Sequence, residues 1–266
     1  MSRYTHGQHR SVTDSYRWRN AENSAAYVLD EMVPGRSLLD VGCGPGSITV
    51  DLASRVAPGP VTAVDASPEA VELARATARE AGADAIDFRV ADVHDLDLPD
   101  DSFDIVHAHQ VLQHVADPVR ALTEMRRVAA PGGIVAACDS DYSAMYWYPL
   151  LPEIQEWMDL YQRVARANGG EPDAGRRMLA WARRAGFTDV TYTMEVWSHS
   201  APDRRAWWGR MWAERILESD MGRQAVAEGF ATRQDLERIS AGWTAWSEDP
   251  DGVFAVPRGA IVCRVA

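Results

Sequence analysis

The sequence predicts an α/β fold whose sheet is doubly wound, seven-stranded and mostly parallel, with a helical lid formed by insertions. Five short apolar runs alternate with helical patterns over residues 37–140, and parallel neighbouring strands require such crossover connections. The first run leads into alternating glycines at 42, 44 and 46, and the second ends on Asp65. A strand, a glycine-rich turn, a helix and a second strand ending on an acid are the layout of a nucleotide-binding unit.

The strand-like runs follow one another along the chain, each bounded by turn residues. They cover residues 37–43, 60–65, 85–91, 103–109, 134–138, 190–197 and 260–265. Helical patterns separate them; in the first, Ile48, Leu52 and Val56 recur on one face and would pack on the sheet. Longer helical patterns cover residues 20–32, 153–168, 174–185 and 202–247.

The composition is that of a globular protein, 46% hydrophobic and 25% charged, with a formal net charge of −12. Nucleic-acid-binding domains carry a basic field, so neither nucleic acid nor a membrane surface is an expected partner. No apolar run reaches the ~20 residues of a membrane span and no signal-peptide pattern is present, so a cytoplasmic location is expected. Cys43, Cys138 and Cys263 lie in or beside apolar runs and are predicted as small buried residues.

The spacing of the glycines separates two kinds of nucleotide-binding site. Dinucleotide-binding folds favour G-x-G-x-x-G, with a pyrophosphate on the following helix N-terminus. Here the pattern is G-x-G-x-G, and Asp40 stands two residues before the first glycine. A carboxylate at this point would repel a pyrophosphate, but it suits a ligand that carries an ammonium group.

Residues 38–46 resemble motif I of the class I S-adenosylmethionine-dependent methyltransferases, whose usual form is hh-(D/E)-h-G-x-G-x-G. Residues 98–106, with the sequence LPDDSFDIV, resemble the segment before motif IV in the small-molecule, UbiE-like branch of that family. The resemblance covers residues 37–140 well and is weaker beyond them. It implies S-adenosyl-L-methionine as cofactor and S-adenosyl-L-homocysteine as product.

The resemblance assigns cofactor contacts residue by residue. Asp40 would receive the methionyl ammonium, Gly42 and Gly44 would let the backbone pass close to the amino-acid moiety, and Asp65 would accept from both ribose hydroxyls. The remaining expected contacts are Gly46 in the motif, Ala66 at the adenine edge, Asp92 and Val93 on the adenine ring, Gln110 and Val111 under the methionine portion, and Tyr16 and Asn23 from the N-terminal segment.

The chain is predicted to be a single methyltransferase domain over residues 1–266. Residues 1–34 would form an N-terminal cover segment and residues 35–140 the cofactor-binding half. In this family strand seven inserts antiparallel beside strand six after a short hairpin. Here the connection carries some 45 helical residues, so 141–185 and 202–247 are predicted to form a Trp-rich lid on the acceptor side.

The acceptor is predicted to be a small hydrophobic or aromatic molecule. The chain has 10 Trp, and Trp147, Trp208 and Trp212 fall in segments expected to overhang the strand ends, where open α/β sheets bind ligands. Methyl transfer is an in-line displacement, so proximity and orientation would supply most of the acceleration. Aromatic faces also tolerate the positive sulfonium better than aliphatic walls do.

A general base is needed only if the acceptor must lose a proton. His114, after strand four, is the first candidate, and its alternative role is a structural histidine at the turn. His107 and His109 are predicted as packing residues. Asp139 and Asp141 are alternative acids for orienting the acceptor, and no metal is predicted.

Two other functions remain open at this stage. An NAD(P)-dependent oxidoreductase shares the strand-helix layout, but Asp40, the glycine spacing and the lack of a Tyr-x-x-x-Lys pair disfavour it, since the chain contains no lysine. A cofactor-binding protein without catalysis is the second alternative. The protein is expected to act as a monomer or a homodimer.

Overall fold

The computed structural model describes Thr5, Tyr16 and residues 18–266, and across these residues a mixed sheet of eight strands organises the chain. The strands are β1 (Leu38–Val41), β2 (Val61–Asp65), β3 (Asp87–Val90), β4 (Phe103–His109), β5 (Ala129–Ser140), β6 (Tyr146–Tyr148), β7 (Asp189–His199) and β8 (Val253–Arg264). Their order is β3-β2-β1-β4-β5-β8-β6, with β7 also paired to β8.

The first five strands are parallel, and β8 runs antiparallel to β5, β6 and β7. The predicted doubly wound, mostly parallel sheet with an antiparallel last strand is therefore confirmed. The chain leaves β1 toward β2 and β3 and then returns to place β4 on the other side of β1. This topological switch point is where open α/β sheets form a ligand crevice, at the carboxyl ends of the strands.

The strand boundaries differ from the prediction mainly at β8. It begins at Val253 rather than 260, because Pro257 and Gly259 resemble turn residues yet lie inside the ladder, opposite Val196 and Met194 of β7. Its pairing with β5 ends at the Ser140–Arg258 pair, and the three-residue β6 then pairs with residues 253–255. The prediction missed β6 because a run of three aromatic residues has no measurable period.

Helices cover both faces of the sheet and extend beyond its carboxyl edge. They are α1 (Ala21–Ser24), α2 (Ser47–Val56), α3 (Pro68–Glu80), α4 (Pro118–Val128), α5 (Pro152–Ala167), α6 (Met178–Arg184), α7 (Pro202–Glu218), α8 (Asp220–Ala227) and α9 (Arg233–Glu248). The predicted helices near 153–168 and 202–247 are confirmed as α5 and as α7 to α9.

The single helix predicted over residues 20–32 is wrong, because the segment divides into α1 and a 3₁₀ helix over Ala26–Glu31. Asn20 and Asn23 form a reciprocal capping box, and the Ser24 hydroxyl donates to the Asn23 side chain at 2.7 Å. Such short polar side chains compete with regular helix hydrogen bonds, which explains why the helix ends after one turn.

Among the described residues four hydrophobic clusters hold the molecule together, and the two with the most residues lie on either side of the crevice. Aliphatic residues such as Leu39, Val106 and Leu122 fill the space between sheet and helices. An aromatic core lies where β8 runs past the end of β5, with Trp157 and Trp243 packed edge-on at 5.0 Å between ring centroids. Each fully buried aromatic side chain removes a large apolar area from water, so this second core holds α5, α7 and α9 against the end of the sheet.

The three cysteines are buried and free, as predicted. Within residues 18–266, no helix is both long and apolar enough to cross a membrane.

Candidate active site

A cavity of about 980 Å³ opens at the carboxyl ends of β1, β2 and β4, at the switch point of the sheet. The structure brings most of the predicted site residues to its lining. These are Tyr16, Asp40, Gly42, Gly44, Asp65, Ala66, Asp92, Val93, Gln110, Val111, His114, Trp208 and Trp212. Residues from distant stretches of the chain thus meet in one space.

The turn over residues 42–46, called the glycine turn below, requires glycine for two different reasons. Gly42 has φ +70°, and a Cβ there would lie 2.4 Å from the Val111 side chain. Gly44 has φ +52°, but a Cβ there would meet no protein atom within 4 Å. The backbone at Gly44 therefore faces open space in the cavity, which leaves room for a ligand to approach closely.

Asp65, the last residue of β2, is fixed by this turn. One of its carboxylate oxygens accepts a hydrogen bond from the Gly44 amide at 2.9 Å, and the other accepts from the Ser67 amide at 2.9 Å. Burial raises the pKa of the Asp65 carboxyl, and the two amides oppose that shift. The carboxylate keeps further lone pairs with which it can accept from a vicinal diol.

Asp40 is only 3% exposed and has two protein partners. Its carboxylate oxygens contact His107 Nδ1 at 2.8 Å and the Thr49 hydroxyl at 2.5 Å. Asp40 and His107 are register partners on the adjacent strands β1 and β4. His107 was predicted as a packing residue, and this is a correction: it is a buried polar partner that orients the acid of the motif. The alternation of His107 and His109 on β4 placed both side chains on one face of the sheet. The sequence did not reveal the register of β4 against β1, so the partner of His107 could not be predicted.

Asp92 lies at the far end of the cavity and is more exposed. It accepts from the His94 amide at 2.9 Å and contacts His94 Nδ1 at 2.7 Å, and these hydrogen bonds hold the pKa of its carboxyl below the usual value. Arg120 donates to the His94 carbonyl at 2.9 Å and fixes the same loop. Val93 is buried beside it. The loop after β3 therefore presents an ionised acid next to an apolar residue.

A buried acid fixes the turn after β4 through hydrogen bonds from the backbone amides of the turn. Asp139 accepts from the Leu112 and Gln113 amides at 3.2 and 3.1 Å, and burial raises its carboxyl pKa to about 7. Gln110, at φ +59°, donates to the Ser140 hydroxyl at 2.8 Å. Asp139 was predicted as an acid that orients the acceptor; it does not line the cavity and instead positions the turn that does.

Asp141, the other predicted acid, is also absent from the lining. Its carboxylate forms a two-point ion pair with the Arg176 guanidinium at 2.6 and 2.5 Å. The pair fixes the chain after β5.

His114 lines the cavity, and burial together with the nearby Arg19 charge lowers its pKa to about 3. His109 also lines the cavity, where burial holds the pKa of its imidazole well below the usual value. Both imidazoles are therefore neutral at pH 7. His109 was predicted as a packing residue, and the structure adds that it faces the cavity.

Three residues expected at a ligand lie elsewhere. Gly46 is the N-cap of α2 with φ +81°, and a Cβ there would lie 3.0 Å from Ala74 of α3, so this glycine serves helix packing. The Asn23 side chain completes the α1 capping box and donates to the Trp18 carbonyl at 3.0 Å. Trp147 stacks on Phe254 at 5.9 Å in the aromatic core. None of the three lines the cavity.

One side of the cavity, called the aromatic wall below, was largely missed by the sequence interpretation. It consists of Trp18, Arg19, Tyr142, Met145, Trp197, Trp208, Trp212, Arg215 and Val256. The Arg19 guanidinium stacks over the Tyr16 ring at 4.3 Å and lies 5.2 Å from the Trp197 ring centroid. These residues come from segments with no common motif. Tryptophan content and segment position signalled Trp208 and Trp212, and no motif signalled the others.

Among the residues that the structure describes, no three His, Cys, Asp or Glu side chains are grouped as metal ligands. The cavity does fit a nucleoside-containing methyl donor. It joins open space at Gly44 to a carboxylate at the end of β2, and a second acid lies in the loop after β3.

Comparison with known proteins supports the same conclusion. A family model described as a methyltransferase domain matches residues 33–199. An uncharacterized methyltransferase of Schizosaccharomyces pombe is 33% identical over 98% of this chain and 96% of its own length. A demethylmenaquinone methyltransferase of Clavibacter sepedonicus is 31% identical over 68% of this chain and 76% of its own. A phosphoethanolamine N-methyltransferase of Haemonchus contortus, solved with S-adenosylhomocysteine, shares the fold at a TM-score of 0.60 and 18% identity, over 98% of this chain and 58% of its own.

The fold, the glycine turn and the acid of β2 define a class I S-adenosylmethionine-dependent methyltransferase. Within that class the chain belongs to the methyltransferase-domain family and is UbiE-like. S-adenosyl-L-methionine is its methyl donor, as the sequence predicted.

Proposed function

We propose that this enzyme methylates a small hydrophobic or aromatic molecule bound against the aromatic wall. The main support for the proposal is that the predicted donor site and the aromatic wall line one continuous cavity. The glycine turn and Asp65 lie at one end, and Trp18, Trp197 and Trp212 lie at the other. Apolar ligand sites are lined by aromatic side chains with a few convergent polar groups, which is the composition of this wall.

At the donor end, the proposed roles follow the sequence prediction. Asp65 accepts from the ribose hydroxyls, and Asp40, oriented by His107, faces the methionyl ammonium. Asp92 and Val93 would contact the adenine, and the turn containing Gln110 and Val111 would contact the methionine portion. The glycine turn and the Ala66 backbone complete the contacts. S-adenosylmethionine supplies a methyl group on a positively charged sulfur.

Positioning is the main catalytic effect that these residues support. The buried carboxylate of Asp139 fixes the turn that carries His114, and the acceptor lies against rigid aromatic side chains. Holding two reactants at contact distance replaces a bimolecular encounter. With a pKa of about 3, His114 is a weak base, so we assign it a hydrogen-bond acceptor role toward the acceptor rather than full proton removal.

The helices after β7 are proposed to act as the lid. Trp208, Trp212 and Arg215 all project from α7 into the cavity, and α7 is packed in turn on α9, where Trp212 stacks on Trp243 at 6.0 Å. Tyr16 and Arg19 would cover the opening from the N-terminal side.

The donor site can be tested by calorimetry with S-adenosylhomocysteine and NADH. Wild type should bind S-adenosylhomocysteine, and Asp65→Ala should weaken binding at least tenfold, about 1.4 kcal/mol, because charge-assisted hydrogen bonds to the ribose are lost. Asp97→Ala removes an exposed acid from the loop after β3, outside the cavity lining, and should change nothing. Tight NADH binding without S-adenosylhomocysteine binding would contradict the donor site.

The acceptor class can be tested with a labelled methyl donor and a fractionated metabolite extract. Label should move into low-molecular-mass material that partitions into an organic solvent. Label found only in protein or in water-soluble amines would contradict a small hydrophobic acceptor.

A further inference from the structure

Over the residues that the structure describes, the two ends of the cavity differ in net charge: acids outnumber the one arginine, Arg120, at the donor end, and arginines alone are charged at the other. Among the described residues, five acids line it, and all of them lie between residues 40 and 117, at or after the ends of β1 to β4: Asp40, Asp65, Asp92, Asp95 and Asp117. The aromatic wall, as far as the structure describes it, contains no Asp or Glu and contains two arginines, Arg19 and Arg215. In a chain of net charge −12, this local positive charge favours an anionic ligand.

Arg19 is held in a position from which it can donate to such a ligand. Its guanidinium is stacked on Tyr16 and beside Trp197, and stacking fixes the plane while the N–H edges stay available. Among the residues with described positions, no carboxylate forms an ion pair with Arg19. Trp197, which Arg19 contacts, lies 5.7 Å from His109 between ring centroids, so Arg19 lies close to the end of β4, beside the turn assigned to the methionine portion.

Arg215 adds a second positive charge on the opposite element, α7. It is 4% exposed, and its guanidinium carbon lies 4.7 Å from the Trp212 ring centroid. Tyr142 is within reach of both charges: Arg215 and Arg19 oppose the effect of burial, which raises the Tyr142 pKa to about 12. The two arginines therefore act on the same region of the aromatic wall.

We propose that the acceptor is an apolar aromatic molecule whose reacting group is an oxygen ionised at neutral pH, such as an acidic phenol or enol, and that Arg19 and Arg215 select it over alkylamines. This inference rests on the methyl transfer proposed above. An alkylamine is cationic at neutral pH and would lie beside two guanidinium groups. It would also have to lose a proton, although the chain has no lysine and the described aromatic wall has no carboxylate to accept one.

An ionised oxygen needs no base. As the oxygen takes the methyl group, one O–C bond forms and one C–S bond breaks, with the bonding pair remaining on sulfur. The negative charge of the oxygen and the positive charge of the sulfonium cancel, so no proton moves. If a ring carbon next to the oxygen reacts instead, that carbon then releases its proton to water and the oxygen takes one up. The arginines stay protonated throughout and stabilise the oxyanion before transfer.

The test compares three probes that share one ring system and differ in charge: 2-naphthoate, 2-naphthamide and 2-naphthylmethylamine. Each is titrated at pH 7 into the full chain saturated with S-adenosylhomocysteine. We expect naphthoate to bind about tenfold more tightly than the amide, and the amine most weakly, because only the anion adds an ion pair to the hydrogen bond from a guanidinium group. Arg19→Gln should reduce naphthoate affinity toward that of the amide, with Arg215 keeping part of the preference, and leave the affinities for the amide and S-adenosylhomocysteine unchanged.

The matched control is Arg204→Gln. Arg204 also stacks on a tryptophan, Trp18, at 3.9 Å, but it does not line the cavity, so this variant should keep the preference for naphthoate.

The proposal is overturned if the amine binds most tightly, if no probe binds at millimolar concentration, or if Arg19→Gln weakens all three probes equally. Loss of S-adenosylhomocysteine affinity in Arg19→Gln with the probe order unchanged would overturn it too, by assigning Arg19 to the carboxylate of the donor. Failure of wild type to bind S-adenosylhomocysteine would overturn the proposed function itself.

Discussion

The donor end of the cavity and the aromatic wall are built from different material. The donor end uses backbone amides, glycines and acids from one continuous stretch of the chain, all at the ends of parallel strands. The aromatic wall uses side chains from the N-terminal segment, the segment after β5, β7, α7 and β8. A site made of backbone is specified by short-range spacing, whereas a site made of distant side chains is specified by packing. The donor end is therefore restricted to one cofactor. The aromatic wall can change by substitution of single side chains, so the acceptor can differ between proteins that share the donor end.

The contrast between the two ends predicts the largest effect for a small change at the donor end, the addition of a single Cβ to the glycine turn. Gly44→Ala adds a Cβ that meets no protein atom, so its stability cost is the positive-φ strain alone, about 1 kcal/mol. The same Cβ occupies the space proposed for the donor, and S-adenosylhomocysteine affinity should fall about 100-fold, or about 2.7 kcal/mol. Calorimetry and urea unfolding measure the two effects separately.

Gly229→Ala is the control for that prediction. Gly229 has φ +70° and open space around its Cβ position, but it lies after α8, outside the cavity lining. The two variants should be destabilised equally, and only Gly44→Ala should lose affinity. Equal affinities in both would show that the glycine turn does not approach the donor.

Ligand affinity at the aromatic wall should depend on the size of the aromatic side chains that line the cavity, rather than on the backbone conformation. Trp212 and Trp246 are both buried in the aromatic core, but only Trp212 of these two lines the cavity. Trp212→Phe should weaken 2-naphthoate binding about fivefold, about 1 kcal/mol, by removing stacking area, with S-adenosylhomocysteine affinity unchanged.

Trp246→Phe supplies the matched comparison. It loses the hydrogen bond from Trp246 Nε1 to the Tyr148 carbonyl at 3.0 Å, so it should lower the free energy of unfolding by about 1–2 kcal/mol and leave naphthoate affinity intact. Equal loss of naphthoate affinity in both variants would mean that the core as a whole, and not the cavity-lining ring, determines binding.

The same contrast explains what the sequence could predict. Asp40, Gly42, Gly44 and Asp65 could be predicted because they belong to one strand-turn-helix-strand unit that brings the ends of its two strands together. His107 was misjudged, since its pairing with Asp40 depends on the register of β1 against β4. Arg19 and Arg215 were missed because they line one cavity only after α7 packs over the strand ends. Trp208 and Trp212 were placed at the cavity by tryptophan content and position rather than by a motif.

The smallest expected effect concerns pH, and it distinguishes a buried neutral histidine from a catalytic base. The His114 pKa of about 3 lies below the unfolded value near 6.5, so the unfolded state binds more protons as pH falls between these values. His114 therefore contributes stability that is present above pH 6.5 and is lost as pH falls toward 3.

His114→Gln should flatten the dependence of unfolding free energy on pH between 7 and 4, measured by urea denaturation at constant ionic strength. Because His109 and His199 are shifted in the same direction, their contribution stays in both proteins and cancels in the difference. If the two curves are parallel over this range while the rate of methyl transfer follows an ionisation near 6.5 that the variant lacks, His114 titrates as an exposed base, and the neutral role assigned to it here is wrong.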